Sequence, residues 1–157
     1  MEIRPLGPDD RGWLDGLLRE VTAGPSMVSR GRVHDGHALP GLVAVRHGER
    51  AGVALYRVDD TECEVVFLAA TVDGTGAGTA LLDAVAELAS TMGCRRAWVI
   101  TTNANTAAIR FYQRRSWDLV ALHRDAITAA RELKPGIPEA SGDGIPLRHE
   151  LEFERRL

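Results

Sequence analysis

Lysine is almost absent from this chain: of 19 basic residues only Lys134 is a lysine, and the rest are arginines. We read this as a compositional bias rather than a functional one. No block of basic residues is long enough to form a nucleic-acid-binding arm, so no nucleic-acid partner is expected. No apolar run approaches the roughly 20 residues that cross a bilayer, so no membrane partner is expected either. The opening Met1-Glu2-Ile3-Arg4-Pro5 carries an acid and lacks the apolar core of a signal peptide. A cytoplasmic location is the resulting expectation. Cys63 and Cys94 are the only cysteines. They lie far apart, match no metal-ligand spacing, and are expected to be buried or half-buried thiols in reducing surroundings. The five histidines are scattered as well. His34 and His37 are three apart, but in a Gly-rich stretch without a nearby third ligand, so no metal site is expected.

What is present fits one domain spanning residues 1–157, with a hydrophobic fraction of 45 % and a charged fraction of 26 %. A short strand is predicted over 2–6. A helix follows, started by Asp9 or Asp10 and carrying Trp13, Leu14, Leu17, Leu18 and Val21 at helical spacing. Residues 22–38 have weak periodicity and are read as a loop, with room for a short helix. Strand-like runs then span 41–47, 51–58 and 62–70, with turns at Gly48-Glu49-Arg50 and Asp59-Asp60. Past residue 70 the period changes. Helices are predicted over 76–92, closed by Gly93, and over 105–115, with strands at 95–101 and 117–122. A helix over 125–133, a Pro/Gly-rich loop over 136–144 and a last strand over 145–153 complete the pattern. The fold class is α/β, an α+β mixed sheet in which an antiparallel meander leads into a βαβ-type core.

Two motifs carry chemistry. Asp73-Gly74-Thr75-Gly76-Ala77-Gly78-Thr79 joins a buried strand to an amphipathic helix. Glycines let backbone amides approach an anion closely, and a helix start leaves amides without intrahelical partners. Together they make a cradle for phosphate oxygens. The segment lacks the lysine of a nucleoside-triphosphate loop, and it follows a meander rather than the first strand, unlike a dinucleotide-binding turn. The second motif is Asn105-Thr106-Ala107-Ala108-Ile109-Arg110-Phe111-Tyr112, a helix capped by Asn105 with aromatics on one face.

Gly76-x-Gly78 at a helix start, a strand, and then Asn105 with Phe111-Tyr112 resemble the GNAT acetyltransferase superfamily. The tail, with Lys134-Pro135 and Ile145-Pro146-Leu147-Arg148, is similar to that of uncharacterised bacterial members. The resemblance spans about residues 2–122 and is sharp over 66–118. It implies acetyl-CoA as cosubstrate, no metal, and an acyl-CoA-binding core in which two parallel strands splay apart to admit pantetheine. Backbone groups around Phe67 and Leu68 would then pair with pantetheine. Pyrophosphate would lie on the amides from Asp73 through Gly74, Thr75, Gly76, Ala77 and Gly78 to Thr79, with Asn105 near the thioester. Tyr112 corresponds to the tyrosine that protonates the departing thiolate. For the base, Glu62 and Glu64 alternate on the strand entering the site, and His123 is an alternative. One of Arg110, Arg114 and Arg115 could reach the 3′-phosphate. Two departures stand out. Asp73 replaces a usual Gln or Arg, leaving a carboxylate that either faces away or caps the helix. Ser116-Trp117 replaces Gly-Phe, which is tolerable where the backbone needs no positive φ.

The implied function is an N-acetyltransferase moving acetyl from acetyl-CoA to a primary amine of a small molecule or peptide. A non-catalytic acyl-CoA-binding or sensor domain is the alternative, and a nucleotide-binding protein is a third class. The acceptor pocket is expected from residues 22–38 and the tail near 134–150. A homodimer is compatible with the resemblance, since such domains often pair.

Overall fold

A computed structural model describes all residues 1–157. The strands are β1 (Glu2–Pro5), β2 (Ser26–Ser29), β3 (Arg32–Asp35), β4 (Gly41–Arg46), β5 (Glu49–Asp59), β6 (Glu62–Ala70), β7 (Arg96–Thr102), β8 (Asp118–His123) and β9 (Glu150–Arg156). The α-helices are α1 (Arg11–Thr22), α2 (Ala77–Thr91), α3 (Thr106–Arg114) and α4 (Ala126–Leu133). Seven strands form one sheet in the order β1-β4-β5-β6-β7-β9-β8, and β2-β3 is a separate hairpin. Only β6 and β7 run parallel, and the crossover between them is α2. The mixed α/β sheet with its leading antiparallel meander is the fold class expected from the sequence. No helix is long and apolar enough to cross a membrane.

Period-2 alternation divides the core between the two faces of the sheet. On one face Leu81, Leu82 and Val85 of α2 and Tyr112 of α3 pack with Ala54, Val65, Val99 and Phe153. On the other face Leu14 and Leu18 of α1 pack with Met27, Val43, Val53, Leu55 and Phe67. Both cysteines are buried in the first of these layers, and burial pushes the Cys63 thiol up to about 12. α2 closes at Gly93, whose φ of 84° only glycine adopts at low cost.

One buried ion network ties the meander to the first helix. Asp10 is 1 % exposed and accepts from Arg4 at 2.7 and 2.9 Å, Arg50 at 2.8 Å and the Gly7 amide at 2.8 Å. Asp10 therefore reaches back to the amide before it rather than capping α1 forwards, and α1 has no side-chain cap.

Three expectations are corrected. Residues 22–38 are not a loop: they contain the β2–β3 hairpin, with Met27 opposite His34 and Ser29 opposite Arg32. Its turn is Arg30-Gly31 with φ of 48° and 73°, both positive as a type I′ turn requires. An arginine at the first of these positions carries none of the usual Asn or Gly signal. The last strand starts at Glu150 rather than Ile145. Before it, the Asn103 carboxamide oxygen takes the amides of Arg148 and His149, and its nitrogen donates to the Pro146 carbonyl. That clamp replaces strand pairing. Finally, Ser116 has φ of 61°, so the backbone here does need the left-handed region.

Two outcomes follow from these features. Ser116→Gly removes the left-handed penalty and should raise stability by about 1 kcal/mol, read as a higher denaturant midpoint at unchanged slope. Asp10→Ala removes the buried member of this network, but both arginines are about a third exposed and stay solvated, so the loss should be about 1–3 kcal/mol. The Arg4 hydrogen bonds above all hold the Asp10 carboxyl well below its ordinary 3.8. Its contribution is complete above pH ~4 and is lost as acid protonates the folded form, so the variant should lose the wild-type destabilisation at low pH in an acid titration.

Candidate active site

The turn between β6 and α2 has the geometry of an anion cradle. Gly74 and Gly76 have φ of 74° and 81°, and Gly76 starts α2 in the left-handed region with no side-chain cap. Thr75 Oγ1 donates to the Val72 carbonyl at 3.0 Å and holds the loop. The amides of residues 72–79 donate to no acceptor in the protein; Thr71 and Ala80, on either side, are both partnered. Eight successive amides without a partner thus lead into the positive end of a 15-residue helix, an arrangement that can receive an anion. Gly78 has a different reason: a Cβ there would lie 3.1 Å from the Phe111 ring. Asp73 is exposed, caps nothing and hydrogen-bonds to nothing, so its carboxylate lies in solvent.

A groove of about 520 Å³ continues from this turn, lined by Thr79, Ala107, Arg110, Phe111, Arg114 and Arg115. Arg115 stacks 3.6 Å from the Phe111 ring centroid and donates to Thr79 Oγ1 at 2.6 Å. Arg110 and Arg114 have no ion-pair partner, which leaves two free cations beside the cradle. Asn105 caps α3 by accepting from the Ala108 amide at 3.1 Å.

Above the cradle the two parallel strands part. β6 pairs with β7 from Glu62–Arg96 to Val65–Val99 and no further, while its pairing with β5 continues to Ala70. The parting coincides with a bulge. Val65 faces Tyr56 and Phe67 faces Leu55, so Val66 is an extra residue. A bulge bends its strand and re-aims side chains, which puts Val66 and Phe67 together on the α1 face. From Val66 to Ala70, Phe67 and Leu68 included, one edge of β6 faces no strand.

Candidate proton-handling groups lie on both faces at this point. Tyr112 is 6 % exposed and packs 5.4 Å from Phe153, whose register partner Val99 is the last residue of β7 paired to β6. Burial pushes its phenol up to about 12, so it stays protonated at neutral pH. Trp117 Nε1 is the one fully enclosed side-chain polar atom without a partner; the Tyr112 hydroxyl, which bonds to nothing, therefore touches open space. On the opposite face Glu64 is 4 % exposed. Its Oε1 accepts from Ser29 Oγ at 2.5 Å, and Oε2 has no hydrogen bond but is likewise not enclosed. Burial raises the Glu64 carboxyl to about 7, with Ser29 and Arg57 opposing and Glu150 adding to the rise.

The other base candidates are occupied elsewhere. Glu62 pairs with Arg96 at 2.6 Å, and Arg96 also binds Glu152 and Glu154. His123 bonds to Glu152 at 2.9 Å on β8, separated from β6 by β7 and β9. A second cleft of about 460 Å³ lies between the end of α1, β2 and the tail, with Val21, Met27, Val28, Ile127, Ile137 and Leu147 on its walls. The lone lysine, Lys134, closes one side by donating to the Thr22 and Ser26 carbonyls. Sequence reasoning missed Ser29 and the role of His34, because both depend on the unrecognised hairpin.

The acetyltransferase (GNAT) family model matches residues 11–117. The chain belongs to the GNAT acetyltransferase family. Among relatives, it is 42 % identical over 118 residues to the uncharacterized protein YdhI of Bacillus subtilis (strain 168), covering 74 % of each chain. The GNAT fold is shared with an IAA acetyltransferase from Bacillus cereus at a TM-score of 0.72 and 19 % identity over 99 % of both chains. A GNAT family acetyltransferase from Elizabethkingia anophelis with acetyl-CoA bound matches at a TM-score of 0.68 and 17 % identity, over 99 % of this chain and 97 % of that one.

The Glu64 environment has a measurable cost. Its folded carboxyl, at about 7, lies above the ordinary 4.5. Between these values the folded state binds the extra proton, so this group's stabilisation is complete below pH ~4.5 and is lost as pH rises through ~7. Glu64→Gln should flatten that fall in a plot of unfolding free energy against pH from 5 to 8.

Proposed function

We propose that this GNAT domain transfers the acetyl group of acetyl-CoA to a primary amine of a small molecule or peptide. The observation that carries the reading is the row of unpartnered amides from Val72 to Thr79 beside the open edge of β6. The cradle fits a pyrophosphate, and the free Arg110 and Arg114 fit a further phosphate on the same ligand. Pantetheine would lie along the β6 edge from Val66 to Ala70, hydrogen-bonded as a strand would be. Acetyl-CoA, when bound, supplies an activated acyl group and a thiolate leaving group.

The chain's own residues then handle protons. Glu64 Oε2 takes a proton from the incoming ammonium, a task that suits a carboxyl titrating near neutrality. The Tyr112 hydroxyl donates to the departing thiolate from the other face. The reading requires both groups to reach one reacting centre, and the separation of β6 and β7 beyond Val65 is the opening through the sheet that would allow it. The apolar cleft around Met27 and Val28 suits the acceptor, which favours an amine attached to an apolar group.

Coenzyme A, acetyl-CoA and ATP should be compared by thermal shift. At about 100 times Kd a ligand adds roughly 2.7 kcal/mol, so the two coenzyme A species should raise Tm clearly. A shift with ATP alone would sink the reading. A coenzyme A shift without turnover of any amine would favour a sensor domain. With an active amine in hand, Glu64→Gln should lower kcat/KM about 10²–10⁴-fold, and the wild-type profile should rise with pH through about 7. Tyr112→Phe should lower kcat while leaving coenzyme A affinity intact.

A further inference from the structure

Glu64 has a problem that the transfer reading creates. Each turnover leaves a proton on a carboxyl that is 4 % exposed, and its one unbonded oxygen is the atom that reading gives to the acceptor. The proton needs another way out before the next ammonium can be deprotonated.

The β2–β3 hairpin supplies a path. Ser29 Oγ lies 2.5 Å from Glu64 Oε1 and 2.8 Å from His34 Nε2. The direct His34 Nε2–Glu64 Oε2 distance is 3.8 Å, too long for a hydrogen bond, so the serine is the only link. His34 is 3 % exposed, yet its Nδ1 has no partner in the protein and is not enclosed, so this atom touches solvent. The three groups thus form a hydrogen-bonded chain from the Glu64 carboxyl through Ser29 to the His34 ring, whose Nδ1 keeps some exposed surface. Their positions are fixed by register: Ser29 and His34 occupy facing strands across the Arg30-Gly31 turn, and the Arg30 amide is held on Glu150 at 3.1 and 3.2 Å.

Resting on the acetyl-transfer reading, we infer that Ser29 and His34 relay to solvent the proton that Glu64 takes from the acceptor amine. Rotation of the protonated Glu64 carboxyl brings its proton to Ser29 Oγ, and the serine, its hydroxyl turned from Oε1 towards the ring, passes its own proton to His34 Nε2. His34, briefly an imidazolium, loses its Nδ1 proton to water. Glu64 returns to carboxylate, Ser29 to a hydroxyl and His34 to neutral imidazole, so one proton leaves and no other bond changes. A half-turn of the ring, which returns an unprotonated nitrogen to Ser29 and the protonated one to the other side, resets the tautomer. The charges around the chain suit transit rather than storage. Arg57 on β5, Arg32 on β3 and Glu150 on β9 face Glu64. Burial first, and then Arg32 and Arg57, hold His34 below its ordinary value, so it does not retain the proton at neutral pH. Ser29 and His34 are positioning and relay residues; Glu64 alone meets the substrate.

The test pairs kinetics with an independent signal. Acetyl transfer is followed as thiol release from acetyl-CoA with a panel of primary amines: amino acids, dipeptides and amino sugars. Ser29→Ala and His34→Ala should each lower kcat about tenfold or more without raising KM for acetyl-CoA, and the double variant should lose no more than the worse single. Ser29→Thr, which keeps the hydroxyl, should retain the rate. Millimolar imidazole should restore His34→Ala. Separately, the ring nitrogen NMR signals of His34 should follow the ionisation of Glu64 in wild type, and that coupling should vanish in Ser29→Ala. Full kcat in either alanine variant, no imidazole rescue, or His34 signals indifferent to Glu64 would overturn the relay and leave the transfer reading standing. A wild-type protein that binds coenzyme A yet acetylates no amine in the panel would overturn both.

Discussion

The parting of β6 from β7 is the constraint on which the rest depends. Parallel pairing ends at Val65–Val99, where Val66 is inserted as a bulge against β5. A single extra residue bends the strand and puts Val66 and Phe67 on the same face. β6 stays in the sheet because β5 holds it to Ala70, and β7 stays because β9 pairs along its whole length. The sheet can therefore open locally without losing integrity. The insertion of β9 between β7 and β8 supplies this: without it β7 would be an edge strand, free to follow β6 and close the gap.

Opening a sheet in its middle exposes backbone donors and acceptors that would otherwise be satisfied. The molecule concentrates such groups in one neighbourhood. The open edge of β6 leads into the eight free amides of residues 72–79, and these lead into the arginines of α3. The loop and α3 offer donors and cations, whereas the buried polar groups on the opposite face include the carboxylates Glu64 and Glu150. The sheet separates an anion-binding side from a cation-receiving side. The proposed transfer uses this division, with the acyl donor on the first side and the ammonium on the second.

Much of this architecture was legible in the sequence, for identifiable reasons. β6 was bounded correctly because its apolar run lies between an Asp-Asp turn and a glycine turn, and α3 was bounded by an Asn cap whose hydrogen bond is present. The cradle was legible because glycine content and helix start coincide there. Other features depend on contacts far apart in the chain. The β2–β3 hairpin turns on Arg30-Gly31, which lacks the usual turn residues, so Ser29 and His34 could not be joined to Glu64, 35 residues on from Ser29. Glu62 and Glu64 were equivalent by alternation; only the reach of Arg96 separates them, by engaging Glu62. At Ser116 the sequence leaves the sign of φ open, and the fold makes it positive next to a Trp117 that is buried.

Asp73 shows how exposure decides the weight of a misplaced charge. On paper, a carboxylate next to a pyrophosphate opposes binding. In the fold it is exposed and bonded to nothing, so water screens it: two unit charges ~4 Å apart repel by about 1 kcal/mol in water, against about 4 where the medium is protein-like. Facing that term are eight convergent amides, the positive end of α2, and two arginines with no competing partner. Each charge-assisted hydrogen bond is worth about 1.5–3 kcal/mol. A few such bonds outweigh one screened repulsion, so an exposed Asp73 is compatible with the proposed anion binding. The same reasoning explains why an identical carboxyl matters at Glu64: there burial removes the screening, and the group's proton becomes something the surrounding chain must manage.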